Sequence, residues 1–219
     1  MENRPTADMS NINRDTRLET LPQATLDTFA KNSMMVYNWA MPVEDCKMII
    51  QKFEQVLRHD ISLMDVVDTE NKKLIEINID KYGDFWKEPR EKFMGMMEEY
   101  VDRFKQNLNI ETSDFPLVID RENIKIKKYL PNDKDEIFKV DSEKRFVAFI
   151  LYLNDVEEGG ETHLPKQEIM ISPRAGRMLM FPPFWTHPHA ELKPVKEPKY
   201  IMMSYLHCRD TTEKGNGKK

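Results

Sequence analysis

The chain has 219 residues and 33 Lys plus Arg against 38 Asp plus Glu, a formal net charge of −5. That length suits one well-buried domain and is short for two, and the acidic balance removes general attraction to phosphate backbones, arguing against a nucleic-acid partner. Two cysteines, Cys46 and Cys208, make no disulfide framework and suit a reducing compartment.

No stretch approaches the roughly 18 apolar residues of a membrane span. The N-terminus shows no signal-peptide core. A cytoplasmic protein without a membrane partner is the expectation.

Residues 1–25 are polar and without period, which predicts a flexible arm. Residues 34–39 suit a first strand. Pro42 then fits the opening turn of a helix whose first turn carries Glu44 and Asp45, where the helix dipole favours acids. Cys46, Ile49, Ile50, Phe53, Val56 and Leu57 follow at helical spacing and give one apolar stripe. His59-Asp60 falls at the end of that helix, where a histidine interacting with the dipole is a better reading than a ligand pair.

Leu74, Ile75, Ile77 and Ile79 lie in a strand or an extended loop, and residues 60–83 are expected to form a loop at the mouth of the fold. From Pro89 a longer helix is predicted, with Phe93, Met96, Met97, Tyr100, Phe104 and Leu108 on one face and methionine as adaptable core filler. Residues 124–130 alternate as a strand. Lys125, Lys127 and Lys128 on it read as a solvated face, and residues 131–136 as a second mouth loop.

From residue 145 the pattern changes to short strands. Residues 145–153 form an apolar run of the length of a strand buried on both faces. Asn154-Asp155 and Gly159-Gly160 close it with turn chemistry. Ile169 and Ile171, then Met178 to Phe181, then residues 200–207 follow as strands, punctuated by Pro173, Gly176 and Pro182-Pro183. Helices preceding such a run predict an α+β fold, with the helices bracing a sandwich or jelly roll. Residues 209–219 are polar and read as a disordered tail.

Among these strands lie three groups suited to one site. Asp141 stands just upstream of the buried run, and His189 lies ten residues before Lys199. A carboxylate, an imidazole and a cation on separate strands, meeting in the mouth of a small barrel, would suit an oxygen-activating iron and an acidic cosubstrate.

The block YLNDVEEGGET, then PRAGRMLMFPPFWTHPH, and the closing KYIMMSYLH resemble the iron(II)- and 2-oxoglutarate-dependent dioxygenases, in the prolyl-4-hydroxylase-like branch. The match runs from about Ile124 to His207. It implies a double-stranded β-helix (jelly-roll) core in a single domain over residues 26–208, with helical support over 26–115 and the core over 116–208.

The same resemblance implies iron(II), 2-oxoglutarate as cosubstrate, and ascorbate as a further reductant. The reaction would hydroxylate a prolyl or related side chain of a protein, peptide or small molecule, releasing succinate and carbon dioxide. No catalytic residue beyond the metal ligands is implied.

By this resemblance Asp141 and His189 are metal ligands. Lys199 anchors the far carboxylate of the cosubstrate, and Tyr129, in KKYLP, donates a hydrogen bond to it. His187, twelve residues before Lys199, is the alternative distal ligand. Tyr152 and Thr162 belong to the motif stretches as structural residues.

The family's first two ligands come as His-x-Asp, whose period of two sends both side chains to one face. In IFKVDSEKRF the histidine's place is held by Lys139, or has been lost in a short deletion. A protonated lysine has no lone pair to offer a metal. The Lys139 ammonium could instead pair with Asp141 and occupy the place of the ion, leaving a catalytically inactive pseudo-oxygenase kept as a binding module; His163, in GGETHLP, is a third possibility as a replacement ligand, though an ordinary strand-end histidine is the better reading of it. The sequence does not indicate an oligomeric state.

Overall fold

The computed structural model describes residues 33–59, 65–69, 72–115, 119–131, 141 and 144–208. The strands are β1 (Met35–Tyr37), β2 (Asp65–Thr69), β3 (Lys72–Asn78), β4 (Ile119–Arg121), β5 (Lys125–Tyr129), β6 (Arg145–Tyr152), β7 (Thr162–Leu164), β8 (Ile169–Ile171), β9 (Met178–Phe181), β10 (Ala190–Glu191) and β11 (Lys199–Cys208). Two α-helices precede most of them, α1 (Val43–His59) and α2 (Lys87–Asn107). The expected arm, the tail and Lys139 lie outside the described residues.

The larger sheet runs β1-β9-β6-β11-β5-β3-β2, with β4 also paired to β11, and the smaller one runs β10-β7-β8. Each described pairing is antiparallel. The two central strands are the ones whose sequences lack breakers. β6 is buried on both faces from Val147 onward, and β11 is flanked by β5 and β6.

One face of the larger sheet packs on the helices. Cys46, Ile49, Phe53 and Val56 are the buried stripe of α1, and Phe93, Met97, Tyr100 and Phe104 that of α2. Phe53 meets Tyr200 edge-on at 5.9 Å, and the Tyr200 hydroxyl donates to Glu54 at 2.7 Å. Lys92 joins the two helices through Asp45 at 2.7 Å. His59 ends α1 and is exposed, in keeping with a residue of the helix terminus.

Three local expectations are corrected. Within residues 60–83, β2 and β3 form an antiparallel hairpin in register Val66↔Ile75, and β3 pairs with β5, so the segment extends the sheet instead of forming a loop. The lysines of β5 do not make one solvated face: Lys125 keeps a 41% exposed side chain, whereas Lys127 and Lys128 are largely covered. Lys127 is buried, with its ammonium 3.7 Å from Glu76, and Lys128 pairs with Glu54 at 2.7 Å. The first strand stops at Tyr37, and Trp39 beyond it takes a positive φ of 55°.

The other face of the larger sheet looks toward the smaller one. The register Ile201↔Tyr152 and Lys199↔Tyr129 places Lys199, Tyr152 and Tyr129 on that inner face. The register Glu191↔Thr162 does the same for the small sheet, and Ala190↔His163 marks its opposite face. Candidate site residues from both sheets therefore meet between them.

Candidate active site

Asp141 enters the site from the end of an undescribed connection. Its backbone amide donates to the Pro183 carbonyl at 3.0 Å, which ties it to the segment after β9. Arg145, at the start of β6, donates from Nη1 to Asp141 Oδ1 at 2.8 Å. The same guanidinium grips Glu122 with two bonds of 2.7 Å and stacks over the Tyr205 ring at 3.9 Å. Burial, followed by the charge of Asp141, pushes the Tyr205 hydroxyl well above its ordinary pKa. The other carboxylate oxygen, Oδ2, is buried and has no hydrogen-bond partner among the described residues.

His189 Nε2 lies 3.7 Å from that Oδ2. Its other ring nitrogen, Nδ1, is 3.1 Å from the His187 carbonyl. A carbonyl can only accept, so Nδ1 carries the proton and Nε2 presents a lone pair toward Asp141 when the ring is neutral. A metal-bound histidine has this arrangement, its far nitrogen fixed by a backbone acceptor. Phe181 packs edge-on against the ring at 5.0 Å and holds its plane.

His187 serves through its carbonyl, while its own Nδ1 lies 2.8 Å from the Thr186 hydroxyl. His163 sits opposite Ala190, on the face of the small sheet turned away from His189, so it cannot join the same ion. Among the described residues no group of three His, Cys, Asp or Glu side chains could hold a metal. The described donor set is therefore two, Asp141 and His189, and it fits part of a metal site.

Lys199 is completely buried. Its ammonium donates to Glu191 Oε2 at 2.8 Å, to the Gly160 carbonyl at 2.9 Å and to the Leu192 carbonyl at 3.1 Å. It also lies 4.4 Å from the centroid of the Tyr129 ring. Three ammonium protons thus meet three acceptors. Gly160 has a φ of +77°, and a Cβ there would come within 3.4 Å of Lys199 Cδ, so the GGET turn needs glycine to bring its carbonyl so close.

Glu191 is the residue that sequence reasoning missed. Thr162 donates to its Oε1 at 2.7 Å, and the Tyr152 hydroxyl lies 2.5 Å from Thr162 Oγ1. Because the single Thr162 proton goes to Glu191, Tyr152 is the donor in that pair. Burial, then the charge of Glu191, holds the Tyr152 hydroxyl protonated far above its ordinary range. Tyr152 and Thr162 thus form a chain ending on the carboxylate that holds Lys199. The available signal was the period of two, which sets His189 and Glu191 on one face. As folded, Lys199 has no donor left for the far carboxylate of a 2-oxo diacid, so the anchor does not fit that ligand unless Glu191 moves away.

Comparison with known proteins agrees with this architecture. The model of the 2OG-Fe(II) oxygenase superfamily matches residues 126–207. Over those residues the chain is similar to that superfamily. The oxygenase fold is shared with viral collagen prolyl hydroxylase from Paramecium Bursaria Chlorella virus-1 in its 2OG complex, at 15% identity and a TM-score of 0.59, covering 81% of this chain and 97% of that one. A prolyl-4-hydroxylase of Pseudomonas putida gives 15% identity and 0.59, with 85% and 98% covered. A Trichoplax adhaerens prolyl hydroxylase in complex with a hypoxia inducible factor peptide fragment gives 16% and 0.57, with 86% and 94% covered.

The jelly-roll core expected from the sequence is thus the prolyl-hydroxylase-like one. The same oxygenase fold also carries the epimerase SnoN of nogalamycin biosynthesis, at 9% identity, so the scaffold alone does not fix the reaction. The search of curated proteins finds no match. Iron(II) and 2-oxoglutarate are the cofactor and cosubstrate that this superfamily implies. Among the described residues of this oxygenase fold no helix is long and apolar enough to cross a membrane.

Proposed function

We propose that this chain is an iron(II)-dependent oxygenase of the 2-oxoglutarate type, hydroxylating a prolyl or related side chain of a protein or peptide, in a single domain spanning residues 26–208. Asp141 and His189 would hold the metal, and a cytoplasmic setting suits the free Cys46. The observation that carries this reading is the buried Oδ2 of Asp141, without a hydrogen bond among the described residues and facing His189 Nε2 across 3.7 Å. A buried carboxylate oxygen with no partner is costly, and a cation at that point would satisfy it. Bound iron(II) would supply the activation of dioxygen. The chain's own residues would orient the ligands through Arg145, Tyr205 and the His187 carbonyl.

A second reading is favoured by the Lys199–Glu191 pair, which saturates the cosubstrate anchor from within. In it the oxygenase barrel persists as an inactive binding module. Anaerobic reconstitution with iron(II) separates the two. Iron content near one per chain, lost in both Asp141→Ala and His189→Ala, with succinate released from 2-oxoglutarate, supports the oxygenase. Iron binding that ignores both substitutions would overturn the assignment of the site. If iron does not bind, Lys139→His restores the His-x-Asp pattern and should raise iron affinity at least tenfold.

A further inference from the structure

We infer that Glu191 is a built-in competitor for the cosubstrate's far carboxylate, so that a 2-oxo diacid enters only when this side chain leaves Lys199; this deepens the oxygenase reading and rests on it for the identity of the ligand. Its carboxylate receives one bond from a buried ammonium, Lys199 Nζ at 2.8 Å, and one from a buried hydroxyl, Thr162 Oγ1 at 2.7 Å. A cation beside a hydroxyl is what an incoming carboxylate would need, and a residue of the same chain already holds both. The remaining two donor positions of Lys199 go to backbone carbonyls, which cannot be released without opening the turn at Gly160.

Charge makes the competition strong. Glu191 and Lys199 are both sequestered, with side-chain exposures of 4% and 0%, and together they are neutral. A second carboxylate brought beside the occupied lysine would be an uncompensated buried anion. Ligand and Glu191 therefore exclude one another. Displacement is feasible because Glu191 stands on a two-residue strand, β10, paired with β7 alone. The device also selects. Monocarboxylic 2-oxo acids make no demand on Lys199 and are not opposed by Glu191, whereas diacids are.

The test uses the full chain and reads binding without turnover. Wild type, Glu191→Ala and Glu191→Gln are compared by calorimetry and thermal shift with 2-oxoglutarate, glutarate and acetate, with iron content measured separately. Glutamine keeps the side-chain volume and an acceptor for Lys199 while removing the charge, so it covers the case in which the alanine variant fails to fold. The expected result is at least tenfold tighter binding of 2-oxoglutarate and glutarate in the variants than in wild type. Acetate should raise the melting temperature of Glu191→Ala but not of wild type.

Equal affinity of wild type and variants, or no diacid binding by any of them, overturns the inference. Tighter diacid binding in a chain that takes up no iron would sink the oxygenase reading and leave the role of Glu191 standing.

Discussion

Replacing Lys199 by methionine removes the cation and keeps the apolar stem. Glu191 is then left buried with Thr162 as its remaining described hydrogen-bond donor. Deleting one partner of a buried ion pair costs roughly 3–5 kcal/mol, because it strands the other. For a chain of this size, that is a fall in melting temperature of roughly 6–20 °C. Adding Glu191→Leu to Lys199→Met removes the stranded group and should recover most of the loss. Urea unfolding of the four proteins in the cycle measures the coupling. A Lys199→Met protein within about 1 kcal/mol of wild type, or a double variant no more stable than Lys199→Met alone, would refute the picture of a desolvated pair.

Three further outcomes are expected. Arg145→Met, which frees the Asp141 carboxylate to turn, should weaken iron(II) binding about 10- to 100-fold, read by metal titration while circular dichroism reports the fold. Cys46 is held protonated by burial, its thiol pushed up to about 12; in a Cys208→Ser background, iodoacetamide should label it only after unfolding. For Glu54, burial opposes the charge, but the bonds from Lys128 and Tyr200 outweigh it and lower its pKa. A carboxyl depressed in the folded state stabilises above its unfolded value and loses that contribution as pH falls. Glu54→Gln should therefore lower stability at pH 7, with the gap to wild type closing below about pH 4.3, followed by thermal melts across that range.

The sequence showed its strands best where composition and punctuation agreed. Met178 to Phe181, bounded by Gly176 and Pro182, was legible to the residue, and the run from Arg145 stopped where Asn154 predicts a turn. Asn154 does more than turn, since it accepts from the Tyr200 amide and donates to the Pro198 carbonyl, fastening the end of β6 to the start of β11. The helices were readable from their stripes. Short strands such as β4, β7 and β10 were not, because two or three residues carry no measurable period and are held by partners distant in sequence.

Within the site, the resemblance singled out Asp141, His189, Tyr129 and Lys199, and the fold sets Asp141 near His189 and Tyr129 near Lys199. What the sequence could not show was charge satisfaction. A buried lysine seeks an anion, and the chain alone does not say whether that anion is a ligand or a glutamate eight positions earlier. Arg145 was hidden for a similar reason, since its partners Glu122 and Asp141 lie on separate segments.

The pairing of Ala190 with His163 sets the inside and outside of the whole site by parity. The bonds Gly160 N to Lys193 O and Leu192 N to Glu161 O lock that alignment on either side. Length is therefore as constrained here as chemistry. A single codon inserted between β7 and β10 that slid the pairing by one step would turn His189 and Glu191 outward together and bring Ala190 in. Variants of this protein with new specificities are accordingly to be sought by exchanging side chains in this segment, never by lengthening or trimming it.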